Sequence, residues 1–144
     1  MRYHFKISKE TVGYSATCIE LPGCITQGDT KEELIQNMEE ALNLYLDEPA
    51  DSKAIYPLPK RVVVAGRNIF KVPVRPRIAF AFALRRLRLS RKLTQREAAT
   101  QIGIQGSLHK YQRLENSNTA NPELETLVRI MRAFPDFPLV LVSS

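Results

Sequence analysis

The sequence is poor in the features that mark several classes of protein. Its 144 residues include only two cysteines, Cys18 and Cys24, so no disulfide scaffold is expected. The longest apolar run, from Ile78 to Leu84, is far too short to span a bilayer, and the first six residues lack the apolar region of a signal peptide. We therefore expect a cytoplasmic protein of one ordinary domain or two very small ones, without a membrane partner.

Residue combinations that support catalysis are also scarce. The two histidines, His4 and His109, lie in different halves of the chain, and the cysteines lack the close Cys/His spacing of a zinc site. The sequence has no glycine-rich phosphate loop, and no Ser-His-Asp arrangement can be nominated. We expect two buried, inert thiols, and no catalytic residue, metal or cofactor.

Charge is present, but it is divided unevenly along the chain. Residues 1–60 contain 6 Lys or Arg and 10 Asp or Glu, a net charge of −4, whereas residues 61–144 contain 15 and 5, a net charge of +10. Together they make the formal charge of +6. The division predicts two surfaces with different partners, and the basic half is suited to nucleic acid.

The first half of the chain has the pattern of an antiparallel sheet with one helix. Thr30 and Glu33 form a capping box at the start of the helix, and Pro49 lies at its end. Period-2 alternation and runs of β-branched residues predict strands over residues 2–8, 14–19, 24–27, 61–65 and 70–72.

This order of elements is similar to a degenerate ribonuclease H-like fold, which raises the alternative of a metal-dependent nuclease. Such nucleases hold two metal ions with clustered carboxylates. The first two strands contain no Asp or Glu, and Glu20 lies only at the end of the second. The acids of the following helix are explained as solubility charges, so a nuclease is not favoured.

The second half of the chain has a helical period. Pro73 and Pro76 predict a linker over residues 73–77, between a first domain of residues 1–72 and a second of residues 78–144. Helices are predicted over 78–91, from the capping box of Thr94 and Glu97, over 107–116, and from Asn121 as N-cap with Pro122 at the first helical position. The expected core face of the last helix comprises Leu124, Leu127, Val128, Met131 and Phe134. The apolar tail, residues 139–142, predicts a C-terminal strand, and the fold class is α+β.

The stretches "LTQREAATQIGI", "RLEN" and "NPELETLVRIMRAF" resemble the Xre-like helix-turn-helix family of phage repressors. One departure is that about two extra residues separate Gly103 from Arg113. The resemblance and the polar outer face of the third helix predict operator DNA as a partner. The predicted DNA contacts are Gln95, Arg96, Gln105, Ser107, His109, Lys110, Gln112 and Arg113. Further attraction to phosphates is expected from Arg85, Arg86, Arg88, Arg91 and Lys92.

The stretch "GYSATCIELPGCITQGDTKEELIQNMEEALNLYL", residues 13–46, closely resembles the HicB antitoxins of bacterial HicA–HicB toxin–antitoxin pairs. The resemblance implies a non-catalytic protein that binds HicA, a small basic ribonuclease toxin that cleaves messenger RNA, and represses its own operon. The toxin-contact candidates are Tyr14, Glu32, Glu39 and Glu40. Since helix-turn-helix proteins usually read two half-sites, a homodimer or higher even oligomer is expected, with the apolar tail as a pairing element.

The alternative that remains open is a one-component repressor. In that case the first domain would sense a small ligand, and no toxin would be bound.

Overall fold

The computed structural model describes residues 1–49, 51–61, 63, 66–104 and 108–144, which form two compact units. The sheet unit comprises Met1–Leu46 and Tyr56–Arg75, and the helical unit comprises Asp47–Ile55 and Pro76–Ser144. The segment Asp47–Ile55 therefore belongs to the helical unit, although it directly follows the helix of the sheet unit. None of the described helices combines the length and apolar character needed to cross a membrane.

The sheet unit contains four antiparallel strands in the order β3-β2-β1-β4. Their bounds are β1 Arg2–Lys9, β2 Tyr14–Cys18, β3 Ile25–Gly28 and β4 Ile69–Pro73. The register places Phe5 opposite Cys18 on one side and opposite Phe70 on the other. Tyr3 and Phe5 are buried as the alternation predicts, but the intervening His4 is buried as well. The β1–β2 turn requires glycine at position 13, because φ is +75° and an added Cβ would lie 2.5 Å from the carbonyl oxygen of Gly28.

One helix, α1 (Lys31–Leu46), covers a face of this sheet. Its buried stripe of Leu34, Met38 and Leu42 belongs to the same core as Tyr3 and Phe5 of β1. The predicted cap is present in modified form. Thr30 Oγ1 accepts a hydrogen bond from the Glu33 amide at 3.1 Å, but the Glu33 carboxylate accepts from the amide of Asp29, at 3.3 Å.

The strand predicted over residues 61–65 is not found where the structure can test it. Arg61 and Val63 lie outside any strand, and residues 62, 64 and 65 lie outside the described residues. Pro73 occupies the last position of β4, an edge strand, where a residue without an N–H is tolerated.

The helical unit contains five helices: α2 Pro76–Ser90, α3 Gln95–Ile102, α4 Leu108–Glu115, α5 Leu124–Ala133 and α6 Leu139–Ser143. The sheet with one helix, followed by a helical region, confirms the predicted α+β class. The capping box of Thr94 and Glu97 is also confirmed.

The predicted C-terminal strand is wrong, because residues 139–143 form helix α6. The buried ring of Phe137 lies 5.4 Å from that of Phe80 and anchors the tail beside α2. Pro138 then precedes the first helical turn, and its carbonyl accepts from the amide of Val142 at 2.9 Å. A short apolar run is compatible with either a strand or a helical turn, and here the packing of Phe137 beside Phe80 favours the helix.

The predicted start and core face of α5 are also wrong in part. The N-cap is Glu123, which makes no side-chain cap hydrogen bond, rather than Asn121. Ile130 and Phe134 are buried, whereas Leu124 is 76% exposed and Val128 is 38% exposed. Because apolar residues cover a wide part of this helix, only some of them can face the core, and the others form an exposed apolar face.

Candidate functional site

Helices α3 and α4 form a helix-turn-helix whose turn is fixed by the backbone of residue 103. Gly103 has φ of 87°, and its amide donates to the carbonyl oxygens of Ala99 and Thr100. The amide of Ile104 also donates to Ala99, at 3.0 Å. The next three positions lie outside the described residues, so the structure does not place the predicted contacts Gln105 and Ser107.

A buried polar cluster attaches α4 to α2. Arg88 donates from Nε to Glu115 Oε2 at 2.6 Å, from Nη2 to Oε1 at 3.0 Å, and from Nη1 to the carbonyl of Leu93 at 3.0 Å. The hydroxyl of Tyr111 donates to the same carboxylate. Burial and the neighbouring charge of Glu115 raise the pKa of Tyr111, so this phenol remains a donor. The orientation of α4 is therefore set by a bidentate ion pair in the core.

Several arginines predicted to attract phosphates have structural roles instead. Arg85 and Arg88 are 3% and 7% exposed. Burial lowers the pKa of Arg85, whose Nη1 donates to the carbonyl of Glu48 at 3.3 Å. Arg91 pairs with Asp136 and lies over the ring of Phe134 at 4.8 Å. Their long side chains could not be assigned to the surface or the core from sequence spacing alone.

The structure brings four of the predicted DNA contacts to one place. Gln95, His109, Gln112 and Arg113 line a shallow cleft of about 370 Å³ along α4. Gln95 donates from Nε2 to Glu115 Oε1 at 3.3 Å and accepts from Gln112 Nε2 at 3.2 Å. The buried cluster therefore extends to the exposed amide of Gln112. Arg96 is also exposed, on α3.

Sequence reasoning missed a second concavity beside this cleft. Lys110 and Arg113 share a cavity of about 490 Å³ with Arg77, Asn118 and Asn121. Arg77 Nη1 donates to the carbonyl of Asn118 at 3.3 Å. The polar residues between α4 and α5 are a possible sequence signal of this cavity, but the predicted linker includes Arg77.

These two concavities present amides, an imidazole and cations on adjacent sides of α4. Side-chain amides and guanidinium groups hydrogen-bond to base edges in the major groove, and cations bind phosphates. The surface is therefore chemically suited to double-stranded DNA. The individual contact residues stay predictions.

The acidic toxin-contact candidates lie on α1 of the sheet unit. Glu32 and Glu40 are exposed and Glu39 is half-buried. Four-residue spacing aligns Glu32 and Glu40 with Leu44, which is 78% exposed. Tyr14 lies elsewhere, beneath Lys31 Nζ at 6.0 Å, about two helical turns from Glu39. The four candidates are therefore not grouped on one patch.

The ionisable groups inside the sheet unit are engaged locally. Glu20 accepts from the amide of His4 at 2.9 Å and from that of Lys60 at 3.1 Å, and it lies 2.7 Å from His4 Nδ1. Cys18 and Cys24 are buried free thiols, and the Cys24 side chain together with burial raises the pKa of Cys18. Within the described part of the chain, no group of three or more His, Cys, Asp or Glu residues is arranged to hold a metal ion.

Comparisons with known proteins match the two units separately. A family model described as the HicB-like antitoxin of bacterial toxin–antitoxin systems matches residues 3–68, and a helix-turn-helix domain model matches residues 79–134.

Three curated relatives match parts of the chain, and all are named UPF0150 proteins. The chain is 57% identical to that of Synechocystis sp. over 35 residues, which are 24% of this chain and 44% of the relative. It is 42% identical to that of Thermoplasma acidophilum over 48 residues, 33% of this chain and 70% of the relative. It is 36% identical to that of Helicobacter pylori over 63 residues, 44% of this chain and 88% of the relative. The chain thus spans less than half of the Synechocystis protein.

Proposed function

Because the chain belongs to the HicB-like antitoxin family and carries a helix-turn-helix domain, we propose that it neutralises a HicA-type ribonuclease toxin and represses its own operon. The sheet unit binds the toxin without catalysing a reaction, and the helical unit binds operator DNA. The observation that carries the proposal is the pairing of an antitoxin-type sheet unit with a polar helix-turn-helix face in one chain.

Operator binding is supported by the way the exposed face of α4 is held. Gln112 is hydrogen-bonded through Gln95 to Glu115, which is itself fixed by Arg88. Side chains held in one orientation before binding lose less conformational entropy when they contact DNA. We propose that Gln95, His109 and Gln112 face base edges, and that Arg77, Lys110 and Arg113 face phosphates.

Toxin binding is assigned to the acidic face of α1. Glu32 and Glu40 supply negative charge toward a basic partner, and charge complementarity of this kind raises association rates. The exposed side chain of Leu44 on the same face supplies an apolar anchor. Glu39 lies at the edge of this face, and Tyr14 stays a separate candidate.

The test is co-expression of the full chain with the HicA-type toxin encoded beside its gene, with growth and operator binding measured together. We expect Glu32→Gln/Glu40→Gln to lose growth rescue and keep operator binding. We expect Lys110→Ala/Arg113→Ala to rescue growth but lose operator affinity, with the log–log salt slope less steep by about 2 if each cation neutralises one phosphate.

The matched control for the acidic face is Glu123→Gln/Glu125→Gln, which removes two carboxylates from the helical unit and should leave rescue unchanged. Loss of both activities in either test variant would contradict the division of roles. Full operator binding by a chain that never rescues growth would instead favour the one-component repressor.

The simplest oligomer that this function requires is a homodimer, because two half-sites are read by two helix-turn-helix units. The tail cannot pair as a strand, since it forms α6. We assign dimerisation to the exposed apolar face of α5, which includes Leu124 and Val128.

Sedimentation of the full chain tests this assignment. Leu124→Ser/Val128→Ser should shift the protein toward monomer and weaken operator binding, because buried apolar area is lost from the interface. Leu44→Ser, which changes an equally exposed leucine of the sheet unit, should leave the dimer intact. An unchanged dimer in the double variant would reject the α5 face.

A further inference from the structure

We propose that the sheet unit contains a binding site for single-stranded nucleic acid, separate from the helix-turn-helix. The site is a cleft of about 550 Å³ beside the end of β1 and the start of α1. Three cationic side chains line it, those of Lys9, Lys31 and Arg67, whereas the register puts the side chain of Lys6 on the opposite face of the sheet. This inference does not depend on toxin binding, since it rests on the cleft alone.

The cleft lies where β1 extends beyond its partner strand. Pairing with β4 covers β1 only as far as Lys6, and the amide of Ile7 then donates to the carbonyl of Asn68 at 2.8 Å. Beyond that point none of the described strands pairs with β1 on this side. The turn of Arg67 and Asn68 forms one wall, and the first turns of α1 form the other.

The floor of the cleft is apolar and aromatic. The register of the sheet puts Phe70 and Tyr14 on the same face as Ile7 and Lys9. Phe70 is 42% exposed, and Ile35 of α1 lines the same cleft at half exposure. Phe70 therefore offers an accessible ring for stacking with planar groups, and the half-buried ring of Tyr14, with Lys31 Nζ 6.0 Å from its centroid, forms part of the floor.

The rim is positively charged without compensation from acids. Among the described residues, no Asp or Glu lines the cleft, and Lys9 and Arg67 form no ion pair there. Glu10 follows Lys9, but its carboxylate accepts from Ser15 Oγ at 2.7 Å. Since Ser15 alternates with Tyr14, this hydrogen bond lies on the opposite face of the sheet.

The combination of cations and exposed rings selects the ligand class. Cations along a groove bind successive phosphates, and aromatic side chains stack with bases regardless of sequence. Lys9 belongs to β1, Lys31 to the start of α1 and Arg67 to the turn before β4, so the charges are distributed around the cleft. A basic protein would be repelled by this rim, which separates the cleft from the acidic face of α1.

The test uses the full chain and a fluorescein-labelled ten-nucleotide oligouridylate, with anisotropy measured over a range of salt concentrations. If all three cations each neutralise a phosphate, the log–log salt slope is about −2.1. Lys9→Gln/Arg67→Gln should weaken binding about tenfold and reduce the slope to about −0.7. Phe70→Leu should weaken binding about fivefold without changing the slope, because it removes stacking but no charge.

Two control variants separate the cleft from other basic surfaces. Arg2→Gln/Lys71→Gln removes two charges from the opposite face of the same sheet, and Lys110→Ala/Arg113→Ala removes two from the helix-turn-helix. Each should change oligouridylate affinity less than twofold. Far-UV circular dichroism checks that every variant is folded.

Several outcomes would overturn the proposal. An equal loss of affinity in cleft and control variants would show general electrostatic attraction to the protein surface without a specific site. Equal competition by inorganic polyphosphate would show a polyanion surface that ignores bases. Full competition by uridine monophosphate at the same nucleotide concentration would show a mononucleotide pocket. Comparable binding of oligouridylate and oligothymidylate, with both lost in the cleft variants, would support it.

Discussion

The sheet unit and the helical unit each bury a glutamate within their described residues, but the two carboxylates hold different elements in place. In the sheet unit, Glu20 joins β1 to the segment at Lys60 through backbone amides. In the helical unit, Glu115 joins α4 to Arg88 of α2. The carboxylate of Glu20 fixes a loop to a sheet, whereas that of Glu115 orients the helix that carries the predicted DNA contacts. The buried carboxylate is therefore structural in one unit and connected to the proposed DNA-binding surface in the other.

The two units are more alike in net charge than the two halves of the sequence. The sheet unit contains 9 Lys or Arg and 7 Asp or Glu, a net charge of +2, and the helical unit contains 12 and 8, a net charge of +4. The acidic segment Asp47–Ile55 belongs to the helical unit, and the basic residues 60–75 belong to the sheet unit. Partner choice must therefore depend on local surfaces rather than on the charge of each unit.

The largest expected effect tests the ion pair of the helical unit. Glu115→Ala should lower the free energy of unfolding by about 3–5 kcal/mol, because Arg88 is left buried without its partner. Chemical denaturation followed by circular dichroism measures this loss. Arg88→Met/Glu115→Leu removes both charges and should recover most of the stability. A loss under about 1 kcal/mol in the single variant would mean that the pair is not a structural link.

The corresponding change in the sheet unit should have a smaller effect. Glu20→Ala should cost about 1–3 kcal/mol, because the buried amide of His4 loses its acceptor. Operator affinity should stay unchanged, which is the sharpest contrast with Glu115→Ala. Glu10→Ala, at an exposed carboxylate, is the control and should change stability by less than about 0.5 kcal/mol. A loss of operator affinity in Glu20→Ala would show that the buried carboxylate of the sheet unit also affects DNA binding, and it would contradict the comparison.

The smallest effects concern the two helix caps, each of which contains the same type of hydrogen bond to a threonine hydroxyl. Thr30 and Thr94 each accept from the amide three residues later at 3.1 Å. Thr30→Ala and Thr94→Ala should each cost about 1 kcal/mol in thermal or chemical unfolding. Only Thr94→Ala should weaken operator binding, because α3 opens the helix-turn-helix. The serine variants keep the hydroxyl and should behave like the original protein.

The cap of α3 also predicts a pH dependence. Glu97 accepts from the backbone amide of Thr94 at 3.0 Å, and this hydrogen bond holds the pKa of Glu97 below its ordinary value of 4.5. The stabilisation is therefore present above that value and is lost as the pH falls through the lowered pKa. Unfolding measured between pH 7 and pH 3 should show a smaller acid loss in Glu97→Gln. An identical pH profile in that variant would exclude this contribution.

Local features were predicted well because their causes lie within a few residues. The antiparallel strands β1 and β2 and the Thr94 capping box both depend on neighbouring backbone and side-chain chemistry. The gathering of His109, Gln112 and Arg113 follows from helical spacing on α4. The sequence therefore indicated that these side chains lie together, whereas their contact with DNA stays a prediction.

Predictions that depended on distant contacts failed more often. The tail is helical because Phe137 packs beside Phe80, 57 positions earlier in the chain. Arg77 lines the cavity beside α4, where its Nη1 donates a hydrogen bond to the carbonyl of Asn118. No local sequence pattern indicates this contact.

The sequence by itself determined the α+β class, the caps that begin two of the helices, and the family to which the chain belongs. Only the tertiary structure decided which charges face solvent. Arg88 is buried because Glu115 neutralises it from another helix, whereas Lys9 and Arg67 remain exposed beside one cleft because no acid lies there among the described residues. The sign of a charge is a property of the residue, but its solvation depends on what the fold places next to it.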